Sequence, residues 1–515
     1  MSFKENKEER PIAFKLFVFF IVIYLLTASG LNFYHIDASE LHIEVTRSLI
    51  ERFDLSVPET VGMRGADGRY YSWLGIGSAL LAVPFYIIGK LIGSPEIGVS
   101  IMNQIVGAAT VALIFLFSVS LSYSKRTSVL IAVFYGLATM AWPYAKQPFD
   151  NVVETFFVLL SVYQVYLYTM HKKKRYLLLS AISLGVAFIT RMTSILVILS
   201  LIIMMIMYYL RHPDSKTSMR MISRDFLLFS LAFLPFIGLT LWYNHYRFSS
   251  IFETGYSLRA AHTGIDFFTG TSLLTGLSGF LISPGKGFFY YSPVAILFFF
   301  GIKSFFKRHL KLALCFILII LSYLLFLSKN IYWHGDWAWG PRYLLVITPF
   351  LIIPFAELLE SEIWLKNRFP RMIVYLIVAV SLIIQLGAIC VDFNKYFITL
   401  RFMEKIKFTE VQADGVQPLF EPPIETYFNW HESPILAQFR FIHDIAREMK
   451  NYRYSKLPDN TTLENKFRAD PVLNVFDFWW IYHYFVNGSY SGFIVALLLL
   501  LIAIYYASRL RKLSR

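Results

Sequence analysis

The sequence predicts an all-α polytopic membrane protein, and three observations carry that prediction. Of 515 residues, 56% are hydrophobic and 16% are charged, where a soluble protein holds nearer a quarter of charged residues. The apolar residues gather into runs of about 15 to 25, the length that crosses a hydrocarbon core as a helix. The cations stand between the runs in clusters: "SYSKR", "HKKKR", "RHPDSKTSMRMISR", "KSFFKRHLK", "LKNRFPR" and the terminal "SRLRKLSR".

The runs lie near 12–31, 73–92, 97–121, 127–144, 152–170, 176–190, 192–210, 226–243, 288–302, 310–328, 342–359, 371–391 and 491–508. The stretch 176–210 is too long for one crossing at about 1.5 Å per residue, so it divides at Arg191. The first run follows "MSFKENKEERP" and meets no small-residue cleavage site, which reads as a retained span. Cytoplasmic loops favour Lys and Arg. If every run spans, the clusters from 121 onward fall outside while the N-terminal cations stay inside. If 73–92 does not span, every cluster falls inside. The segment "WLGIGSALLAVPFYIIGKLIG" is also interrupted by glycines, Pro84 and Lys90. We therefore read 73–92 as a juxtamembrane or re-entrant helix on the outer side, which leaves about twelve spans with both termini cytoplasmic.

Three regions follow: a transmembrane module at 1–391, with juxtamembrane helices near 38–53 and 73–92; an outer loop or small cap domain at 392–490; and a last span with a basic tail at 491–515. The cap region contains "FNWHESPILAQFRFIHDIAREMKNY", which has an amphipathic helical pattern. The net charge of +14 is explained by the loop cations and gives no reason to expect nucleic acid. Cys315 and Cys390 both sit in apolar runs, with neither a disulfide framework nor a metal-ligand spacing.

The chemistry-bearing residues collect in the outer loops. Residues 38–53 read as a helix along the membrane surface, with Leu41, Val45 and Leu49 on one face and Glu40, Glu44, Arg47 and Glu51 on the other. Asp37-x-x-Glu40 matches a capping box; the same carboxylate also suits a general base at the lipid–water boundary. "YAKQPFDNVVE" places Asp150 at the outer end of a span and Glu154 one turn inside, where an ionisable group is costly. The bland alternative for Glu154 is an interfacial pair with Lys146. "YNHYRFSSIFETGYS" offers His245, Arg247 and Glu253. "SPGKGFFYYSP" sets Lys286 between glycines, and "YWHGDWAWGPRY" carries His334, Asp336 and Arg342. Most of the accompanying Trp and Tyr are accounted for as interface belts. Lys286, Arg342 and the isolated Arg191 are not, because they stand on the side cations avoid. Cations suit a phosphate, aromatics suit sugar or isoprenoid, and carboxylates suit hydroxyl activation. Glycosyl transfer from a lipid-linked phosphosugar uses all three.

At this point the sequence resembles the GT-C superfamily of integral-membrane glycosyltransferases, in particular the protein O-mannosyltransferase and aminoarabinose transferase branch. The strings "HIDASELHIEVTRSL" and "DGRYYSWLGIGSALLAVPFY" stand where that architecture has its two juxtamembrane helices. "YNHYRFSSIFETGY", "SPGKGFFYYSP" and "GDWAWGPRYLLVITPF" are similar to strings of a bacterial branch. The resemblance implies a GT-C-like bundle, with Asp37 as the catalytic acid motif and Asp150 as a second acidic position. The branch's paired Asp-Glu is Asp37-Ala38 here, with Glu40 nearby. The usual cation of the second juxtamembrane helix is Trp73, with Arg69 the nearest basic residue before it.

These readings converge on an inverting transferase of the bacterial plasma membrane, with its site facing outward. It would take a polyprenyl-phosphate sugar and a glycan, lipid or protein acceptor. Asp37 takes the hydroxyl proton; Lys286 and Arg342, with Arg191, hold the departing phosphate; Asp150 and Glu154 orient hydroxyls. A divalent ion shared by Asp37 and Asp150 is left open. A flippase for lipid-linked glycans and an inactive GT-C-like scaffold are the two competing readings.

Overall fold

The computed structural model describes residues 6–30, 37–209, 215–258, 271–335, 338–402, 409–413, 416–421, 423–454 and 469–513; some side chains within these stretches, including those of 37–41, lie outside the description. The fold is all-α and polytopic. Among the described residues, eight helices are long and apolar enough to cross a membrane: Pro95–Ser120, Asp150–His171, Met192–Tyr209, Arg220–Phe248, Leu310–Ser328, Arg342–Leu359, Arg368–Cys390 and Ser491–Arg511. The other four expected runs are helical in a less regular way. α1 (Asn6–Leu26) opens with charged residues. The run 127–144 is α5 (Lys125–Ala138) and α6 (Ala141–Ala145), broken where Thr139 turns extended. α8 (Lys174–Thr190) is 17 residues long. The 288–302 run divides into Phe288–Tyr291, a 3-10 turn at Pro293–Leu297 and Phe298–Arg308.

Local sequence explains the joints. α5 starts because the Ser124 side chain accepts the backbone N–H of Thr127 at 3.2 Å, which satisfies one of the orphan donors of a first turn. α4 (Pro95–Ser120) opens on Pro95 with Glu96 in its first turn, as a helix N-terminus favours. α7 (Asp150–His171) ends where Lys172 takes a left-handed conformation, φ 55°, and folds straight back into α8. The hairpin is fastened by Ser161 Oγ and Ser180 Oγ, 2.9 Å apart. The expected division at Arg191 is present: Arg191 is extended (φ −143°, ψ 118°), followed by a 3-10 turn at Met192–Ile195 and then α9 (Leu196–Tyr209).

α2 (Asp37–Glu51) and α3 (Gly77–Leu91) form in the two stretches expected to be juxtamembrane helices. Fifteen residues of α3 reach about 22 Å, short of a bilayer core of about 30 Å. Its Ile87, Ile88 and Leu91 are exposed on the surface. α2 carries Glu44, Arg47 and Glu51 on its charged face. That face is turned onto α3 and α4: Arg47 pairs with Glu44 and, at 2.9 Å, with Glu96. Glu51 accepts from Lys90 Nζ at 2.9 Å and from Tyr86 OH at 3.0 Å. Thr46 Oγ1 donates to the carbonyl of Ala79 at 3.1 Å. Between the two helices lies a small antiparallel sheet that the sequence reading did not foresee, with β1 (Ser56–Val57), β2 (Met63–Arg64) and β3 (Tyr70–Tyr71) in the order β1-β3-β2.

The region 392–490 contains a hairpin of β4 (Thr409–Ala413) and β5 (Val416–Glu421) and short helices, among them Pro434–Glu448 in the expected amphipathic string. Ala437 and Ile445 of that helix are buried, and Leu436 is exposed. Past it, the chain returns to its own beginning. Asp477 Oδ1 accepts from Ser29 Oγ at 2.5 Å and from the Gly30 N–H at 3.1 Å. The Trp479 and Trp480 indoles donate to the carbonyls of Leu25 and Leu26 at 2.9 and 3.0 Å. The buried Lys146 ammonium completes the joint, donating to Asp477 Oδ2 at 2.9 Å and to the Ile389 carbonyl at 2.6 Å. Lys146 therefore pairs with Asp477, and the alternative pairing with Glu154 is ruled out.

Candidate active site

α7 begins with the candidate carboxylates. Asp150 is its first residue, where partial positive charge favours an acid, and Glu154 follows at i+4 on the same face. The extended backbone at Arg191 sends its guanidinium across both. Arg191 Nη1 donates to the two oxygens of Asp150 at 3.0 and 3.1 Å, and Nε lies 3.2 Å from Glu154 Oε2. A planar guanidinium can serve two carboxylates at once; an ammonium cannot match that geometry. The other oxygen of Glu154 accepts from Thr193 Oγ1 at 2.9 Å, Ser194 Oγ at 3.1 Å and Tyr323 OH at 2.9 Å. Side-chain exposure is 3% at Asp150, 1% at Glu154 and 13% at Arg191, so the cation keeps the open edge while both acids lie behind it.

Tyr343 extends the cluster. The guanidinium carbons of Arg191 and Arg342 stand 4.9 and 5.0 Å from its ring centroid, and Arg342 also lies 5.3 Å from the Phe149 ring. Two like charges are tolerated so close because one aromatic ring attracts both and two carboxylates stand behind Arg191. On the remaining side, α2 presents His42, whose Nε2 is 4.0 Å from Asp150 Oδ2. The position of Arg191 is fixed from below by α3. A methyl group added at Gly75 or Gly77 would collide with the backbone of Ile189 and Thr190 or the Thr190 side chain, so the start of α3 rests directly on the residues before Arg191.

The structure thus brings Asp150, Glu154, Arg191 and Arg342 together and sends other candidates elsewhere. Lys286 is fully buried, and its ammonium donates to the carbonyl of Ala338 at 2.8 Å; it supports the loop leading to Arg342. Arg247 is buried as well, donating to the Ser72 carbonyl and to Asn244 Oδ1 at 2.8 Å, 3.7 Å from the Tyr243 ring centroid. It ties the sheet-to-α3 connection to the end of α10 (Ser215–Phe248). Arg69 is half exposed and bound to Asp67 at 2.7 Å, beside the sheet. His245 is exposed. Glu253 caps its own turn, accepting from the Gly255 N–H at 2.7 Å. His334 is buried and stacked on Tyr427, ring centroids 4.8 Å apart. Asp336 lies outside the described residues. α2 begins at Asp37, but the side chains of Asp37 and Glu40 also lie outside them, so the capping box is neither present nor absent in this description. Among the described residues, no group of three His, Cys, Asp or Glu side chains is placed to hold a metal ion.

Comparison with known proteins bears on this site. Residues 82–242 match the family described as dolichyl-phosphate-mannose-protein mannosyltransferase. The match spans under a third of the chain. The matched segment contains Asp150, Glu154 and Arg191. Among solved structures, ArnT from Cupriavidus metallidurans in the apo state is similar at 12% identity over 96% of this chain and 75% of that one, TM-score 0.48. The same protein bound to undecaprenyl phosphate gives 14% over 97% and 77%, TM-score 0.45. The Archaeoglobus fulgidus oligosaccharyltransferase in the apo form gives 14% over 75% and 55%, TM-score 0.48. No curated protein matches in sequence.

Partners of the site that escaped the sequence reading include His42, Thr193, Ser194, Tyr323 and Tyr343. Tyr343 had a signal, since it adjoins Arg342 in an outer string where a cation starts a span. His42 and Tyr323 had none, because their roles depend on which helices pack together.

Proposed function

We propose that the chain transfers a sugar from a polyprenyl-phosphate donor to an acceptor hydroxyl at the outer face of the membrane, with inversion. The acceptor oxygen attacks the anomeric carbon and forms the new glycosidic bond. The bond from that carbon to the phosphate oxygen breaks, and its electron pair leaves with the lipid phosphate. Asp37 takes the hydroxyl proton. Positive charge on the anomeric carbon and negative charge on the phosphate both grow in the transition state, and fixed cations lower its energy by meeting the second.

The observation that supports this reading is the pair of guanidiniums on the Tyr343 ring. Arg191 and Arg342 are held in place by Asp150, Glu154 and aromatic rings, so they present charge without having to reorganise. Asp150 and Glu154 act behind Arg191 and do not orient substrate hydroxyls themselves. Lys286 acts one step further back, through the 338–340 loop.

The test uses the full chain, purified and supplied with a panel of labelled undecaprenyl-phosphate sugars and hydroxyl acceptors. Bond cleavage with label in the acceptor is expected, and Asp37→Asn loses about 10²- to 10⁴-fold in turnover, the usual cost of losing a general base. Movement of intact donor across vesicles without cleavage would assign a flippase instead.

A further inference from the structure

His42 is the polar group of this site whose role is unassigned. It is buried at 3% exposure on α2, and among the described residues its Nε2 has no hydrogen-bond partner. Buried polar atoms are normally paired, so an unpaired one aimed at a carboxylate calls for a physical reason. Nε2 stands 4.0 Å from Asp150 Oδ2, about an ångström beyond a hydrogen bond. In enzymes without substrate such contacts are often long, and they tighten in the complex.

α2 is otherwise fastened by contacts to α3 and α4. Thr46 reaches α3, Arg47 reaches Glu96 of α4, and Glu51 reaches Lys90 and Tyr86 of α3. Ile43 packs in a small apolar cluster with Ala82, Tyr86, Val99, Met102 and Val153. Among the described side chains of α2, His42 is the polar one that faces the Asp150–Arg191 pair, and Asp37 starts the same helix five positions earlier.

We propose that His42 is a positioning residue that closes an Nε2–H hydrogen bond onto Asp150 when donor binds, setting the helix that begins at Asp37 in register with the Arg191 cluster. The charged groups facing it are Asp150 from α7 and Arg191 from the break after α8. Burial and the nearby Arg191 favour the neutral imidazole and outweigh the pull of Asp150. A neutral ring with its proton on Nε2 donates to the carboxylate without adding a third cation beside Arg191 and Arg342. The inference rests on the transfer reading above and adds a residue to it.

The experiment compares the wild type, His42→Gln and His42→Phe as full chains in the undecaprenyl-phosphate-sugar transfer assay, with thermal unfolding alongside. Gln places an amide N–H near the position of Nε2, whereas Phe keeps a ring and removes the donor. The expected result is that His42→Phe loses at least tenfold in kcat, with donor KM within about threefold and an unchanged unfolding midpoint. His42→Gln recovers most of that loss. Wild-type turnover in His42→Phe overturns the proposal. So does a loss that Gln does not rescue, or one that tracks a fall in unfolding midpoint, because both describe packing alone. If the wild type transfers no sugar from any donor in the panel, the transfer reading fails and this proposal fails with it. If the wild type transfers and His42→Phe equals it, only this proposal fails.

Discussion

Arg191 Nη1 is hydrogen-bonded to both carboxylate oxygens of Asp150, at 3.0 and 3.1 Å. Both side chains are largely withdrawn from water, and neither helix end would be stable alone: one carries a buried anion, the other a cation at a broken helix. This contact joins α7 to the α8–α9 break and gives the site its fixed charge.

Arg191→Lys keeps the charge and loses the fork. One ammonium cannot satisfy Asp150 and Glu154 together, so turnover falls about 10²-fold, the scale for losing one preorganised donor in a transition-state site. Arg191→Met leaves two buried carboxylates without their cation and is destabilised by about 3–5 kcal/mol. Steady-state kinetics and denaturant unfolding of the two variants check both statements.

Lys146 and Asp477 form the second buried pair, 3% and 2% exposed. Removing either partner strands a charge in the interior, and Lys146→Met or Asp477→Leu each costs about 3–5 kcal/mol. The double variant Lys146→Met/Asp477→Leu strands neither and is more stable than either single one. A double-mutant cycle on unfolding free energies reads the coupling; additive losses would show that the two side chains do not sense each other.

Gly77→Ala puts a methyl group into Thr190. Neither the start of α3 nor the end of α8 can yield without moving the residue that follows, which is Arg191. Overpacking of this kind costs about 1–3 kcal/mol, and the accompanying loss of turnover exceeds that of Gly68→Ala, where a methyl meets no neighbour although the left-handed backbone adds strain of its own. Paired measurements of turnover and unfolding separate displacement of Arg191 from general loosening.

His309 lies between two apolar helices, with Phe305 and Tyr123 rings against it. Burial and the adjacent Arg308 push its pKa down to about 4, against about 6.5 in an unfolded chain. The folded state therefore favours the neutral ring. That contribution to stability is complete above about pH 6.5 and is lost as pH falls through about 4. Unfolding midpoints measured from pH 7 to pH 4 should drop more steeply for the wild type than for His309→Gln.

Much of this architecture was legible in one dimension because lipid imposes simple rules. Apolar run lengths marked the eight helices long enough to cross a membrane among the described residues, and the asymmetry of the cations set α3 apart from them. The break at Arg191 was legible because 176–210 is longer than a bilayer is thick. What was not legible depends on partner choice. Glu154 looked nearest to Lys146 along the sequence, yet Lys146 crosses to Asp477, 331 positions away, and Glu154 takes Arg191 from the neighbouring hairpin. Lys286 was read as ligand-binding because it stands where cations are scarce, and Arg247 because its string also carries His245 and Glu253; the structure uses both to hold backbone carbonyls. The sheet at 56–71 was missed because two-residue strands leave no periodicity to detect.

The seam between the first helix and the end of the 392–490 region sets an order on biosynthesis. Ser29 and Gly30 meet Asp477 across 448 and 447 positions of sequence, so a chain still emerging from the ribosome has inserted most of its helices before that partner exists. Throughout that interval Ser29, Gly30 and Lys146 lack this partner. A product truncated before Asp477 would leave the buried Lys146 ammonium without its carboxylate, so this joint closes only after most of the helices have been made.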